Sequence, residues 1–269
     1  MKIQGVHADL TRAPELVAER GSILGRPMVL LAEATSTNDL ATSAAREGAP
    51  HGATWVAEQQ TRGRGRRGHS WLSPPGEGLL FSVLLRVQCA PARIPPIALV
   101  AGLTVRDAVA AASGASVAIK WPNDVLVGGR KLAGVLVEAV TLGSRVEAVV
   151  VGIGINVHTR TFPDEIAGIA TSVALVSAAG SPAPDRASLL AGVLSALDRE
   201  VHVVVGRGLG LLRTRLEQAD ALKGRRVRSD SGDEGLAAGI DDDGRLLVRR
   251  DDGILTRWSA GEVHLVRHP

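Results

Sequence analysis

Three apolar β-like runs crowd together between residues 116 and 157: "SVAIKW", "VLVGGRKLAGVLVEAV" and "RVEAVVVGIGINV". Very little chain separates the first two. "PND" supplies their turn, with Pro122 presetting it and Asn123–Asp124 offering turn-compatible side chains. Gly128–Gly129, set between apolar stretches, is a hairpin signal. A chain that folds back on itself so tightly builds a sheet, and upstream runs supply more strands: "PMVLLAEA" (27–34), "ATWVAEQQ" (53–60) and the mostly buried "GLLFSVLLRV" (78–87). Helices are expected at 9–20, at 36–48 between N-cap residues and Gly48, and at 95–114 between prolines and Gly114. They resume at 185–205 and around 208–218. The pattern predicts an α+β protein whose mixed sheet is flanked by helices.

The texture changes near residue 222. Short β-like runs then alternate with turns such as Asp243–Gly244 and Asp252–Gly253, which suggests a small barrel. This segment carries nine Lys/Arg and nine Asp/Glu, so it is a neutral accessory unit and not a basic tail. We expect three parts: a short helical segment (1–26), a main domain (27–221) and the small β domain (222–269). The formal net charge of the 269 residues is only +3, unlike that of a histone-like binder. The lone Cys89 excludes an internal disulfide and a cysteine-cluster zinc site, and is expected to act as a small buried hydrophobe at a strand end. With early acidic residues, no signal-like apolar stretch and no long unbroken apolar run, the chain reads as cytoplasmic and not membrane-bound.

"TRGRGRRGHSW" (61–71) raises the functional question, because it places four arginines among three glycines. Gly63, Gly65 and Gly68 form a literal GxGxxG after a strand, but the prolines and glycines of "HSWLSPPGEG" preclude the helix that a dinucleotide-binding loop requires. A kinase loop lacks its HRD and DFG partners, and no P-loop is present. Arg-Gly chain also binds single-stranded nucleic acid, yet only Trp71 accompanies these charges as a stacking group. A solvated basic surface loop is the plainest alternative. The reading that fits best is an anion-binding loop. Glycines let N–H groups converge, guanidinium groups add bidentate charge, and mutual repulsion leaves the empty loop disordered until an anion arrives.

"KWPNDVLVGGRKLAGVLVEA" (120–139) adds Lys120, Asn123, Asp124 and Lys131, charged or polar groups at the ends of apolar strands. Such groups are costly in a core and useful in a site. An ordinary turn and an edge-strand lysine remain open for them. Ser36, Thr37, Asn38, Gln59 and Gln60 contribute uncharged hydrogen-bonding groups, Ser36 or Thr37 also suiting a helix cap. Asn156 stands at a strand mouth, suited to cap the next segment or reach a ligand.

Taken together, "STN", "EQQTRGRGRRGHSW", "KWPNDVLV", "RKLAGVLVEA" and "GIGINV" occur in the order and spacing of biotin protein ligases, which the chain resembles over about residues 27–220. The β domain that follows resembles that family's SH3-like C-terminal module. The resemblance implies a class II synthetase-like biotin/lipoate ligase fold and a two-step reaction. ATP and biotin, with Mg²⁺, form biotinoyl-5′-adenylate and pyrophosphate, and a lysine of a biotin carboxyl carrier domain then takes the biotin. It implies biotin contacts at Ser36, Thr37, Asn38, Gln60, Arg64, Gly65, Arg66 and Lys131. It implies nucleotide or adenylate contacts at Arg66, Arg67, Trp71, Lys120, Asn123, Lys131 and Asn156. Catalytic roles fall to Lys131, Arg66 and Asp124; the Mg²⁺ ligands are not specified. His69 stands where the family more often has Arg or Lys. Only about 26 residues precede the first core strand, too few for the helix-turn-helix of repressor-type ligases, so no DNA operator is expected. A monomer or a homodimer fits equally. The alternatives are a lipoate-type ligase, whose RRxxGGG-like signature does not appear, and a single-stranded nucleic-acid binder.

Overall fold

The computed structural model describes residues 5–142, 145–178 and 185–266. The N-terminal segment forms two short helices, α1 (Ala8–Thr11) and α2 (Ala13–Glu19), where the sequence suggests one, and Pro14 opens the second. Then follow β1 (Met28–Ala34), α3 (Thr37–Arg46), β2 (Thr54–Gln60), β3 (Gly78–Leu85), α4 (Ile94–Ser113), β4 (Val117–Lys120), β5 (Asp124–Val127), β6 (Arg130–Leu142) and β7 (Arg145–Asn156). Two single turns, α5 (Asp164–Ala167) and α6 (Val173–Val176), lead to α7 (Arg186–Arg207) and α8 (Arg213–Ala219). The chain ends in β8 (Arg226–Ser229), β9 (Glu234–Ile240), β10 (Leu246–Arg249), β11 (Leu255–Trp258) and β12 (Val263–Leu265).

The first seven strands make one mixed sheet in the order β1-β2-β3-β7-β6-β5-β4, parallel only between β1 and β2. One face is covered by α2, α4 and α7, packed onto Phe81, Val83, Val149, Val151 and Ile153. On the opposite face Ala41 and Ala45 of α3 meet Leu84, Ala148 and Val150. Covered on both sides, β3 is buried throughout, which explains its unbroken apolar run. α3 is only 10 residues long, so it leaves part of this second face open. That uncovered part holds the site.

Helix α4 with the short turn before it (Pro91–Ser113) is long and apolar enough to cross a membrane by length and composition. It is instead a core helix, with Ile97, Val100, Leu103, Val105 and Val109 each fully buried. Cys89 lies beyond the end of β3, half-buried against the core, and burial raises its thiol pKa. The last five strands form an antiparallel sheet ordered β11-β10-β9-β8-β12 around Val227, Ala237, Leu246 and Val248. It docks on the main sheet through the KWPND motif, where the buried Trp121 indole donates to the Gly244 carbonyl at 2.8 Å. Gly244 also lies against Pro96 and Leu99 of α4.

Candidate active site

A cavity of about 170 Å³ opens on the uncovered sheet face. The N-terminal end of α3 forms one wall. Ser36 is the N-cap, its hydroxyl accepting from the Asp39 N–H, so the capping reading of Ser36 holds although the residue also lines the cavity. Gln60, at the end of β2, accepts the Thr37 N–H (2.7 Å) and hydroxyl (3.1 Å) on its amide oxygen. The amide nitrogen of Gln60 is thereby oriented as a donor. Asn38 is more fully committed. Its Oδ1 accepts from Ser82 Oγ at 2.5 Å, and its Nδ2 donates to Glu138 at 2.8 Å. Asn38 thus lines the cavity as part of a braced scaffold.

Two glycines of "GIGINV" explain the floor. A side chain at Gly152 would collide with the Asn38 amide, and a Cβ at Gly154 would lie 2.5 Å from the Trp71 indole. Gly134, paired with Gly154 across β6 and β7, is similarly close to Trp71 and Lys131. Gly134 and Gly154 therefore make a slot into which the indole fits, and Gly152 makes room for the Asn38 amide. The Trp71 Nε1 is buried there without a hydrogen-bond partner, an uncommon state for a buried donor.

Lys131 reaches the cavity through an irregularity. By strict alternation it would share a face with Ala133 and Val135, which are core residues. Opposite β5, however, Val125 pairs with Ala133 and Leu126 pairs with Lys131, so Leu132 is an extra residue. This bulge turns Lys131 onto the face of Gly134 and Leu136. Residues 169–171 hold the bulge: the Lys131 N–H donates to Ile169 O at 2.7 Å, and Thr171 N–H donates to Lys131 O at 2.8 Å. Lys131 Nζ then meets Asp124 at 2.7 Å and lies 5.6 Å from the centre of the Trp71 ring.

The arginine loop folds as a tight hairpin, with Gly65 N–H donating to His69 O (2.6 Å) and Trp71 N–H to Gly63 O (2.9 Å). Arg67, at φ 54°, forms its left-handed tip. The self-repulsion that the sequence sets against order in the empty loop is largely removed here. Arg64 is clamped by Asp39 and Glu138, both at 2.5 Å, and the hydrogen bond it donates to Asp39 leads the effects that raise its pKa. Arg67 forms an ion pair with Asp230 on the C-terminal sheet. Arg66 points inward and donates only to neutral acceptors, Asn123 Oδ1 at 3.3 Å and Gly261 O at 3.5 Å. Burial, then the charge of Arg67, pulls its pKa down. An inward cation held by carbonyls is poised for an anionic ligand.

The structure therefore gathers Ser36, Thr37, Asn38, Gln60, Arg64, Gly65, Arg66, Trp71, Lys120, Asn123, Asp124 and Lys131 around one cavity. It places two expected residues elsewhere. Arg67 faces outward to Asp230, and Asn156 is outside the cavity wall, its amide donating to Thr171 O at 3.0 Å. Asn156 neither caps the segment that follows it nor lines the cavity; its amide ties the end of β7 to the strap that holds Lys131. Sequence reasoning missed Ser82, Asp39, Glu138 and Glu262. Ser82 sits in an otherwise apolar strand, a signal in itself; Glu262 lies in the turn before β12, far along the chain and with no local mark. Among the described residues, the two clusters with metal-ligating geometry, His51/Asp198/His202 and Asp230/Glu262/His264, are not cavity-centred sets.

Comparison with known proteins identifies the family. Residues 31–156 match the biotin/lipoate A/B protein ligase family, and residues 224–266 match the biotin protein ligase C-terminal domain. The chain is 36% identical over 250 residues to the biotin–(acetyl-CoA-carboxylase) ligase of Mycobacterium tuberculosis, covering 89% of this chain and 90% of that protein. It belongs to the biotin protein ligase family. This ligase is also 34% identical over 243 residues to the bifunctional ligase/repressor BirA of Bacillus subtilis, covering 88% of this chain and 74% of that one. Its fold resembles biotin protein ligase from Aquifex aeolicus in complex with biotin and ATP, with a TM-score of 0.76, 29% identity, and coverage of 90% and 99%. The mixed sheet with flanking helices and the antiparallel C-terminal sheet are those of the family.

Proposed function

We propose that this ligase activates biotin as biotinoyl-5′-adenylate and transfers it to a lysine of a biotin carboxyl carrier domain. One observation carries the reading. Arg66 and the Lys131–Asp124 pair stand on one side of the cavity, while the uncharged Ser36, Thr37 and Gln60 stand on the other. The second wall suits a neutral ring with polar edges, and the Gln60 amide nitrogen supplies a donor. The first suits the place where two anions meet. In the first step a biotin carboxylate oxygen bonds to the α-phosphorus of ATP, the α–β bridging P–O bond breaks, and pyrophosphate leaves. Lys131 and Arg66 offset the charge of both reactants and the charge that builds between them. Lys120 and Asn123 extend this side toward the nucleotide, and Arg64 and Gly65 fix the loop over biotin. In the second step the acceptor amine bonds to the acyl carbon as AMP leaves, with Asp124 placed to take the amine proton.

Mg²⁺ fits this arrangement as a companion of the triphosphate. The cavity offers Asp124 and Glu262 as hard oxygen donors, and Mg²⁺ characteristically uses one or two carboxylates plus phosphate oxygens. It would neutralise phosphate charge. The hairpin lines one wall of the cavity, and held over a mixed anhydride it would shield it from water. Working domain limits of 1–26, 27–221 and 222–269 and a cytoplasmic setting are retained with this proposal.

Mass spectrometry of the small molecules released after incubation with biotin, ATP and Mg²⁺ tests the reading. Biotinoyl-adenylate is expected. If lipoate gives an adenylate and biotin does not, the substrate assignment fails.

A further inference from the structure

Along β6, Gly134, Leu136 and Glu138 follow one another at two-residue spacing on the face that holds the site. Gly134 lies against Trp71 and Leu136 lines the cavity. Glu138 lies one step further, outside the cavity wall, in a groove of about 490 Å³ behind the arginine hairpin. Its carboxylate still reaches the site through two partners. Oε2 accepts from Nδ2 of the buried Asn38 at 2.8 Å, and Oε1 accepts from Arg64 Nη2 at 2.5 Å. Asn38 belongs to the wall at the start of α3, where its Oδ1 accepts from Ser82 Oγ and Ser82 Oγ lies 2.7 Å from the Thr37 hydroxyl. Arg64 belongs to the root of the arginine loop. One carboxylate therefore joins the wall to the loop.

The two partners differ in freedom. Asn38 is pressed onto β7, where even a Cβ at Gly152 would lie 2.0 Å from its Oδ1, so the amide has no room to swing. Beyond Glu138, its Nδ2 finds only the Leu136 carbonyl, at 3.5 Å. Arg64 is 44% exposed and has a second anchor in Asp39.

We propose that Glu138 is a positioning residue that couples the uncharged wall to the arginine loop, holding Asn38 with one carboxylate oxygen and Arg64 with the other. Both partners are donors, so the position needs two acceptors. An ionised carboxylate supplies them and, because it only accepts, turns the Asn38 amide so that Oδ1 faces Ser82. Glutamine has the same shape but offers one acceptor and one donor. Its carbonyl stays with the confined Asn38, and its amino group then opposes the Arg64 guanidinium. Glu138→Gln thus frees the loop alone, whereas Glu138→Ala frees loop and wall together.

Hydrogen–deuterium exchange of the full-length, ligand-free protein reads both ends, the loop at residues 61–71 and the wall at residues 36–41. In Glu138→Gln, protection should fall about two- to fivefold at 61–71, the scale of an exposed ion pair, and hold at 36–41. Asp39→Asn, which removes the other anchor of Arg64, should give the same pattern. Glu138→Ala should lose protection in both segments. The coupling is overturned if Glu138→Ala leaves 36–41 as protected as wild type. If the alanine variant fails to fold, the isosteric Glu138→Gln decides: wild-type protection at 61–71, or equal loss at both segments, overturns the coupling.

A second arm rests on the proposed function. In adenylate formation, Glu138→Ala should raise the KM for biotin about tenfold, the scale of one hydrogen bond to a charged group, with kcat within about threefold because Lys131 and Arg66 keep their own partners. A merely structural defect lowers kcat at constant KM, by leaving fewer active molecules, and that result would also overturn the positioning role. If exchange behaves as expected and the wild type forms no adenylate, the adenylation reading fails and the coupling stands.

Discussion

Lys131 shows how one residue's role depends on its surroundings. It pairs with Asp124 and is set beside Trp71, and the proposed mechanism places it against the reacting carboxylate and phosphate. Replacing it with alanine should lower the rate of adenylate formation by ~100-fold or more, the scale of losing one preorganised charge-stabilising group. The circular dichroism and melting temperature should stay near wild type, because its side chain is 38% exposed and forms no part of the core. Full activity in that variant would remove Lys131 from the mechanism. Gly154 makes the complementary case. Gly154→Ala sets a methyl group against the indole of Trp71, so the ring must shift. Biotin or nucleotide affinity should weaken measurably by calorimetry while the fold persists, whereas an unchanged affinity would mean that the slot is incidental.

At the scale of elements, two junctions tie the molecule together. Arg186, at the start of α7, is fully buried and joins α1 through Asp9, β2 through Glu58 and β3 through the Gly78 carbonyl. Burial alone would lower the Arg186 pKa, but its hydrogen bonds to Asp9 and Glu58 outweigh this and raise it. Arg186→Met leaves Glu58 buried without its partner and should destabilise the protein by about 3–5 kcal/mol in chemical denaturation. A loss below ~1 kcal/mol would show that water replaces the guanidinium. The second junction is His51, which accepts the Arg86 N–H on Nδ1 and stacks near His202 of α7. Burial first, then the charge of His202, pushes its pKa down, with Asp198 only partly opposing. The unfolded chain, with a pKa of about 6.5, then binds more protons than the folded one just below that value. The His51 contribution is therefore complete above about pH 6.5 and is lost as pH falls through the lower folded value. His51→Gln should reduce this acid-side loss of melting temperature; an identical pH profile would assign it to other groups.

The whole molecule is one working unit because the small sheet completes the site that the large sheet frames. The C-terminal segment accepts the Trp121 indole at Gly244, packs on α4 and brings Glu262 to the cavity. Removing residues 222–269 would leave a buried donor unpaired and uncover apolar surface. The shortened chain should melt lower and form no adenylate detectable by mass spectrometry. Adenylate formation at the full rate would show that the main sheet suffices.

Most elements of this architecture are legible in the sequence for local reasons. Apolar runs with turn punctuation give the strands of both sheets. Gly128–Gly129, with φ of 58° and 76°, makes the hairpin between β5 and β6, and Ser36 and Gly114 mark helix ends. The chemical types at the site were equally open to reading, since charge at the ends of apolar strands has few uses. Position was not. A one-residue bulge at Leu132 decides which face Lys131 occupies, and no local property of "RKLAG" marks it. Arg64, Arg66 and Arg67 look equivalent in sequence, yet carboxylates from α3, β6 and the C-terminal sheet engage two of them and leave the third facing the cavity. Sequence fixes propensity and charge, which are properties of neighbours along the chain. Only the tertiary structure decides partners, because pairing depends on groups brought together from as far apart as Arg66 and Gly261.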